Sequence, residues 1–452
     1  MLTASKIIEK YLSFFENRGH TKIANSPLVL KNDPTTLFTS SGMQPLLPYL
    51  LGEIHPDGKR LVNVQNCFRA QDIDEIGDNR HTTFFRMLGN WSLGDYFKTE
   101  EIPWLWEFLT KELTLNPKKL HVTVFKGTKD VPKDNEAVNI WKNVLEKAGL
   151  KSEDRISYYS TEKNWWSRSG TPEKMPSGEP GGPDTEIFYE FDTPHDLKFG
   201  EACHVNCDCG KYIEICNSVF MQYQKQEDGS LQLLQKPNVD FGGGLERLLM
   251  ASENQQDVFL TSLFFPIIQT IEKSTEKTYP DYAKEMRIIT DHFIAAVMIA
   301  ADGVKPSNKD QGYLLRRLIR RGFDNLQQLH TSEIHPILES IIEQYKDTNP
   351  GLVEKFEEIK NTILEETQKY DRTKTEAKKF IQKKYKHIGD ALLGVTNISA
   401  EDAFTLYTTH GLSPTQIKSL GLSFDDHTFA EMMKNHQSLS KKGAEQKFKL
   451  TS

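Results

Sequence analysis

Several features are scarce or missing in this chain of 452 residues. Five cysteines are too few for a disulfide framework in a chain this long, so a reducing compartment, the cytoplasm, is expected. No apolar run approaches the roughly 20 residues that cross a bilayer, and no membrane partner is expected. The N-terminal MLTASKIIEKYLSFFENRGH has early Lys and Glu in amphipathic spacing and reads as a first helix, not a signal peptide. Internal repeats and low-complexity tracts are absent. A net charge of −7 excludes a wholesale nucleic-acid coat but leaves room for a local basic face. The familiar phosphate loops are missing too. Gly242, Gly243 and Gly244 do not have G-x-G-x-x-G spacing, and no Walker-type Lys-Ser/Thr pair follows them.

What is present divides at about residue 254. Before it, strand-like runs recur: RLVNVQNCFRA (60–70), KLHVTVFKG (119–127), TEIFYEF (185–191) and YIEICNSVFMQYQKQ (212–226). A Gly/Pro-rich stretch, SRSGTPEKMPSGEPGGPD (167–184), reads as loop. Few of the runs are joined by a clear strand–helix–strand crossover, so an antiparallel sheet with helices packed on it is expected. Beyond residue 254, apolar residues recur at i, i+3 and i+4 while glycine and proline thin out, as in a helical domain. That half includes a mostly basic run, Lys369–Lys386, with Tyr370, Phe380 and Tyr385 interleaved. It fits a charged helix or an RNA-backbone helix.

Four stretches carry candidate chemistry. Asn32–Leu47 (NDPTTLFTSSGMQPLL) starts with an Asp33-Pro34 turn and leads through small residues to Gly42-Met43. By itself it is compatible with an ordinary turn and core strand. Cys67–Phe97 reads as a hairpin with Arg69 leaving its first strand and Arg80 before its second. Arginine forks pair bidentately with phosphate oxygens, and an aromatic on the return strand can stack on a base. Surface arginines over core phenylalanines would give the same pattern. In Tyr212–Tyr223, alternation places Glu214, Cys216, Ser218 and Phe220 on one face and Ile215, Asn217 and Val219 on the other. Asn217 is then a buried amide in need of a partner, from the fold or from a ligand. KPNVDFGGGLERLL (236–249) reads as strand, glycine turn, helix. Asp240 closes the strand, and Arg247 adds positive charge to a helix start that already favours anions.

In this order the four stretches resemble the signature motifs of class II aminoacyl-tRNA synthetases, and most closely the alanyl branch of that family. NDPTTLFTSSGMQP resembles motif 1. CFRA and RHTTFFRMLGNWSLGDYFK (80–98) resemble motif 2. EICNSVFMQY and KPNVDFGGGLERL resemble the alanine-pocket strand and motif 3, and ADGVKPSNKDQGYLLRRLIRR (301–321) resembles the tRNA-contacting helical region. The resemblance covers most of the chain. It implies an α+β catalytic domain over 1–253, an antiparallel sheet flanked by helices, and an all-helical domain over 254–452 that recognises the tRNA acceptor stem. It also implies an alanine–tRNA ligase reaction with ATP, Mg²⁺ and L-alanine. Arg69 would meet the α-phosphate, Phe85 would stack on adenine with Met87 beside it, Arg80 would reach the outer phosphates, and Arg247 would clamp the nucleotide. Asp240 would pair with the α-ammonium of alanine, in a pocket lined by Met43, Trp166 and Asn217 over a bare Gly242. Asn308 would read the acceptor stem, and Arg316, Arg317, Arg320 and Arg321 would meet its phosphates.

The chain also departs from that family. It has no HxxxH and no cysteine after Cys216, the marks of the family's zinc-bearing editing domain. A pocket that excludes by size rejects a substrate one methyl smaller by only about 1–3 kcal/mol. Mischarging cleared by an editing factor in trans is therefore expected, and, because the resemblance places oligomerisation in a C-terminal domain not found here, so is a monomer. The stretch around Gly181-Gly182-Pro183 lacks the family's Gly-Pro-Cys cysteines, and Thr415 stands where an aspartate that helps read the stem is expected. Cys203, Cys207 and Cys209 lie within ACHVNCDCGKYIEIC (202–216). With His204 or Cys216 as a fourth ligand they form a candidate zinc site, although free thiols at a hairpin tip fit the spacing as well. Two rival readings remain: an alanine-activating homologue that loads another acceptor, and an RNA-binding protein that has lost catalysis. Asn308 and the basic helices speak against the first, and the intact Arg69, Asp240 and Arg247 against the second.

Overall fold

The computed structural model describes residues 2–30, 36–385 and 396–435. The Asp33-Pro34 turn, Lys386 and the side chain of Thr415 lie outside the described residues. The chain forms two compact units, Met1–Lys360 and Asn361–Ser452.

The first unit is built on a sheet of nine strands among the described residues. They are β1 (Thr21–Lys22), β2 (Arg60–Phe68), β3 (Phe84–Leu93), β4 (Leu120–Phe125), β5 (Ile156–Tyr159), β6 (Trp165–Ser167), β7 (Pro180–Glu190), β8 (Tyr212–Lys225) and β9 (Leu231–Gly244). Their order is β1-β2-β3-β9-β8-β7-β4-β5, with β6 paired to β7. Every pairing between β2 and β4 is antiparallel, and only the edge pairs β1·β2 and β4·β5 are parallel. The four strand-like runs of the sequence are β2, β4, β7 and β8.

Around the sheet lie α1 (Ala4–Glu16), α2 (Leu47–Leu50), α3 (Lys98–Glu107), α4 (Asn135–Lys147), α5 (Leu245–Glu253), α6 (Phe265–Thr275), α7 (Ala283–Ala301), α8 (Asp310–Gln328), α9 (His335–Tyr345) and α10 (Gly351–Glu354). α1 is capped by the Thr3 side chain, which accepts from the Lys6 N–H, and it buries Ile7, Tyr11, Phe14 and Phe15 at helical spacing. α11 (Phe356–Lys384) begins in the first unit and continues into the second, which also holds α12 (Ala400–His410), α13 (Pro414–Ser419) and the short parallel pair β10 (Thr396–Asn397) and β11 (Leu422–Ser423). No helix among the described residues is long and apolar enough to cross a membrane.

The period-2 alternation of the central strands gives the sheet two different faces. Asn90 and Phe241 are register partners on the helix-covered face. There the Tyr11 hydroxyl of α1 donates to Asn90 Oδ1 at 2.8 Å, and the Tyr11 and Phe241 rings stack at 6.1 Å. Phe85, Met87, Gly89 and Trp91 of β3 point the other way, with Asp240, Gly242 and Gly244 of β9 beside them.

Three local readings of the sequence are corrected. The glycine triplet is not a turn, because β9 runs through to Gly244 and α5 starts at Leu245. Gly242 is flanked by Gly89 and Asn217 on the neighbouring strands. The Gly/Pro-rich stretch is not all loop, because Pro180–Asp184 opens β7. A Cβ on Gly182 would lie 1.9 Å from the Phe220 carbonyl oxygen, so strand contact rather than flexibility requires this glycine. β8 does not alternate throughout. The register between β7 and β8 shifts at Ile187/Phe188, so Cys216 pairs with Ile187 while Glu214 pairs with Phe188. The extra residue turns Glu214 to the face that carries Asn217.

Candidate active site

A cleft opens on the face of the sheet away from α1. Arg69, Arg80, Phe85, Met87, Gly242 and Arg247 all line it. Arg69 leaves the end of β2, where its N–H donates to the Thr83 carbonyl at 2.9 Å. Its Nε donates to the Ser40 carbonyl at 3.3 Å, and its guanidinium lies 4.8 Å from the Phe85 ring centroid. Asp72 sits beside it, its carboxyl held above the usual range by burial despite Arg69.

Buried polar contacts aim this machinery. Thr83 gives its N–H and its hydroxyl to the two carboxylate oxygens of Asp291 on α7, each at 2.7 Å. This pins the start of β3. Arg86, the next residue but two, points to the helix face and forms a buried ion pair with Glu246 at 3.1 Å. Glu246 also accepts the Arg86 N–H at 3.0 Å. Because Glu246 is locked against β3, its neighbour Arg247 is directed back over the cleft. There Arg247 Nη1 donates to the Glu214 carbonyl at 3.0 Å and lies 3.4 Å from the Glu214 carboxylate.

The residues expected at the amino acid adjoin this cleft. Asp240 stands two residues before Gly242 on the same face of β9. It is buried, and burial raises its carboxyl to about 7 even though the Trp91 indole N–H donates to Oδ1 at 2.7 Å. No cationic side chain pairs with it among the described residues. Asn217 donates to Asp184 Oδ2 at 3.3 Å, while its own buried Oδ1 has no partner. Burial also holds the Asp184 and Glu186 carboxyls above their ordinary range, and the Glu214 charge adds to both. Met43 and Trp166 pack in one cluster with Leu50 and Met221. The Gly42 N–H approaches Met87 Sδ at 3.2 Å, and a Cβ on Gly242 would lie 3.0 Å from the same sulfur. The bare backbone at 242 therefore admits the Met87 thioether.

The helical arginines do not form one outward face. Leu315, Leu318 and Ile319 are fully buried, as their spacing predicts. Arg317 and Arg321, one turn apart, reach across to the segment after Arg69. Arg317 pairs with Asp74 at 2.5 Å, and Arg321 donates to the carbonyls of Ile73 and Ile76. Arg320 is buried, and Arg316 donates to the side-chain oxygen of Asn308. In the second unit, Tyr370 is buried, Phe380 packs near His410 at 5.9 Å, and the Tyr385 hydroxyl donates to Asp402 at 2.6 Å.

The cysteine cluster is also rearranged. The fourth ligand-type side chain beside Cys203, Cys207 and Cys209 is His195, not His204 or Cys216. His204 turns toward the Tyr159 hydroxyl, and Cys216 is buried within the sheet. The sequence offered no local signal for His195, which lies on the far side of the loop. Trp91 and Glu214 were also missed. Trp91 follows the Phe85-Met87 alternation and was legible by spacing; Glu214 depends on the bulge.

The family described as tRNA synthetases class II (A) matches residues 6–452. An alanine–tRNA ligase of Borreliella afzelii (strain PKo) is 41% identical over 461 residues, covering 99% of this chain and 74% of that protein. The alanine–tRNA ligase of Treponema denticola is 40% identical over 465 residues, again covering 99% of this chain and 74% of that one. With a family match along nearly its whole length and relatives this similar, the chain belongs to the class II (A) tRNA synthetases, in the alanine–tRNA ligase group.

Proposed function

We propose that this chain activates L-alanine with ATP and transfers it to the 3′ end of tRNA(Ala). One observation carries the reading. Phe85, Met87, Gly242 and Arg247 line a single cleft, and beside Gly242 lie a buried carboxylate without a cation, Asp240 on the same strand, and an unpartnered amide oxygen, Asn217 Oδ1 on the adjacent strand β8. An α-ammonium group supplies what both lack. In the first step an alanine carboxylate oxygen attacks the α-phosphorus of ATP and pyrophosphate leaves. In the second the terminal ribose hydroxyl of tRNA attacks the carbonyl carbon and AMP leaves.

The arginines do the electrostatic work. Arg69 meets the α-phosphate, Arg80 the outer phosphates, and Arg247 closes over the nucleotide from α5. Fixed cations stabilise charge that grows on the phosphoryl oxygens without any proton transfer. Phe85 offers a face to the adenine. Of the carboxylates in the cleft, Glu246 is buried in its pair with Arg86, whereas Asp72 and the half-exposed Glu214, whose contact with Arg247 is longer, would hold the Mg²⁺. The ion supplies charge neutralisation on the phosphates. Asn308 and Arg316 stand as the acceptor-stem contacts, whereas Arg317, Arg320 and Arg321 serve as scaffold for the nucleotide site.

The test is alanine-dependent ATP–pyrophosphate exchange alongside aminoacylation of tRNA(Ala). Both activities are expected. Exchange without charging indicates another acceptor, and absence of exchange overturns the proposal.

A further inference from the structure

The connection from β7 to β8, residues 191–211, sits at the edge of the cleft with little apolar core of its own. Phe191, Val205 and Cys207 are buried, but Leu197 is 75% exposed and Phe199 39% exposed. A segment so poor in burial needs another constraint to hold one conformation. The structure gathers four ligand-type side chains there. One donor atom each from His195, Cys203, Cys207 and Cys209 lies within 4.8 Å of the others. Cys203 Sγ and Cys209 Sγ are 3.7 Å apart, and Cys207 Sγ is 3.8 Å from His195 Nδ1. A disulfide would need about 2.05 Å between sulfurs. A tetrahedral zinc, with Zn–S of about 2.3 Å and Zn–N of about 2.0–2.1 Å, spaces its ligands about 3.5–3.8 Å apart. The 3.7 and 3.8 Å separations match those edges.

The surroundings suit a metal as well. His195 Nε2 lies 2.8 Å from the Gly200 carbonyl oxygen, so the Nε2–H donates outward and the Nδ1 lone pair faces the sulfurs. An outer hydrogen bond of this kind fixes the tautomer of a ligating histidine.

We propose that His195, Cys203, Cys207 and Cys209 bind one structural zinc ion, and that the loop closed in this way positions Arg80 at the mouth of the cleft. The link is Asp208, which lies between two of the ligands and whose carbonyl accepts from Arg80 Nη2 at 2.6 Å. Gly210 lies alongside, where a Cβ would be 3.5 Å from Arg80 Nη1. A metal-fixed backbone thus holds the guanidinium that the proposed function assigns to the outer phosphates of ATP, and this second half of the inference rests on that reading. Arg80 touches the nucleotide; the four ligands act through it.

The experiment has a metal arm and a kinetic arm. Untagged chain purified without chelator is expected to hold about one zinc per chain by elemental mass spectrometry. Co²⁺ replacement is expected to give thiolate-to-metal charge-transfer bands and the visible absorption of a tetrahedral site. Cys207→Ser and His195→Asn should lose most of the metal, while His204→Asn and Cys216→Ala should keep it. In pyrophosphate exchange, the zinc-free chain should show a KM for ATP raised about tenfold, the worth of one hydrogen bond to a charged group, with the KM for alanine little changed. In an Arg80→Ala background, Cys207→Ser should add no further rise. A chain without stoichiometric zinc that also fails to bind added Zn²⁺ or Co²⁺, or that carries a Cys203–Cys209 disulfide by mass, overturns the site. Zinc whose removal leaves the KM for ATP unchanged overturns the link to Arg80. A parent chain with zinc but no exchange refutes the proposed function and leaves the metal site standing.

Discussion

The most informative perturbation is Asp240→Asn. Burial has carried this carboxyl from 3.8 to about 7, and at 1.36 kcal/mol per pH decade that costs the ionised form about 4 kcal/mol. The cost is borne by the free protein and relieved when an ammonium group pairs with the charge. Asparagine keeps the shape, and its side-chain oxygen can still accept the Trp91 indole N–H that Asp240 Oδ1 accepts at 2.7 Å. Only the charge is lost. Truncating one partner of a buried, hydrogen-bonded charge pair costs about 2–5 kcal/mol. The KM for alanine in pyrophosphate exchange at saturating ATP should therefore rise about 30-fold or more, with the KM for ATP little changed. The pH dependence has a definite sign. In the parent, Asp240 must lose its proton before it can hold an ammonium, so the KM for alanine should fall about tenfold between pH 6 and pH 8. In the variant it should stay flat. Stability should move the other way. A carboxyl raised on folding gives up stability as pH climbs from 3.8 toward 7, so without alanine the variant should melt higher than the parent at pH 8, by a margin that shrinks toward pH 5. A KM for alanine within about threefold of the parent, or an equal rise in both KM values, would refute the assignment.

Other substitutions probe the remaining parts. Arg69→Ala should cut exchange by about a hundredfold or more while leaving the circular dichroism spectrum intact, and near-normal alanine activation would sink its role at the α-phosphate. Glu246→Gln leaves Arg86 as an uncompensated buried charge, so the urea midpoint should fall by the equivalent of about 3 kcal/mol, with exchange falling as Arg247 loses its anchor. An unchanged midpoint would show that the pair does not hold α5. Arg321→Ala should raise the KM for ATP, because the side chain supports Ile73 and Ile76 beside the cleft. A change in tRNA charging alone would restore the phosphate-contact reading. Asn308→Ala should lower charging of tRNA(Ala) without altering exchange, and a loss of exchange would count against an acceptor-stem role.

Much of the site was legible in the order of residues. The alternation of Phe85, Met87 and Trp91 and the Asp240–Gly242 step are facts of a strand with period 2, and they hold wherever that strand packs. The buried stripe Leu315, Leu318, Ile319 followed from helical spacing in the same way. Misreadings arose where local chemistry had two solutions. Three glycines before a helix signal a turn as readily as a strand packed tightly on its neighbours, and only the register with Gly89 and Asn217 decides between them. A glycine- and proline-rich run signals loop, yet Pro180–Asp184 is strand because β8 comes too close for a Cβ at Gly182.

The sequence by itself determined the strands β2, β4 and β8 and the helical texture beyond residue 254, the shared face of Phe85, Met87 and Trp91, and the family to which the chain belongs. It did so because periodicity and motif order are local and survive without coordinates. Tertiary structure alone decided the rest. The bulge turned Glu214 toward Arg247, and the packing of α8 took Arg317 and Arg321 from the solvent to the Ile73–Ile76 segment. The fold of the 191–211 loop brought His195, not His204, to the three cysteines. Each of these depends on where a distant backbone runs, and no spacing along the chain encodes that.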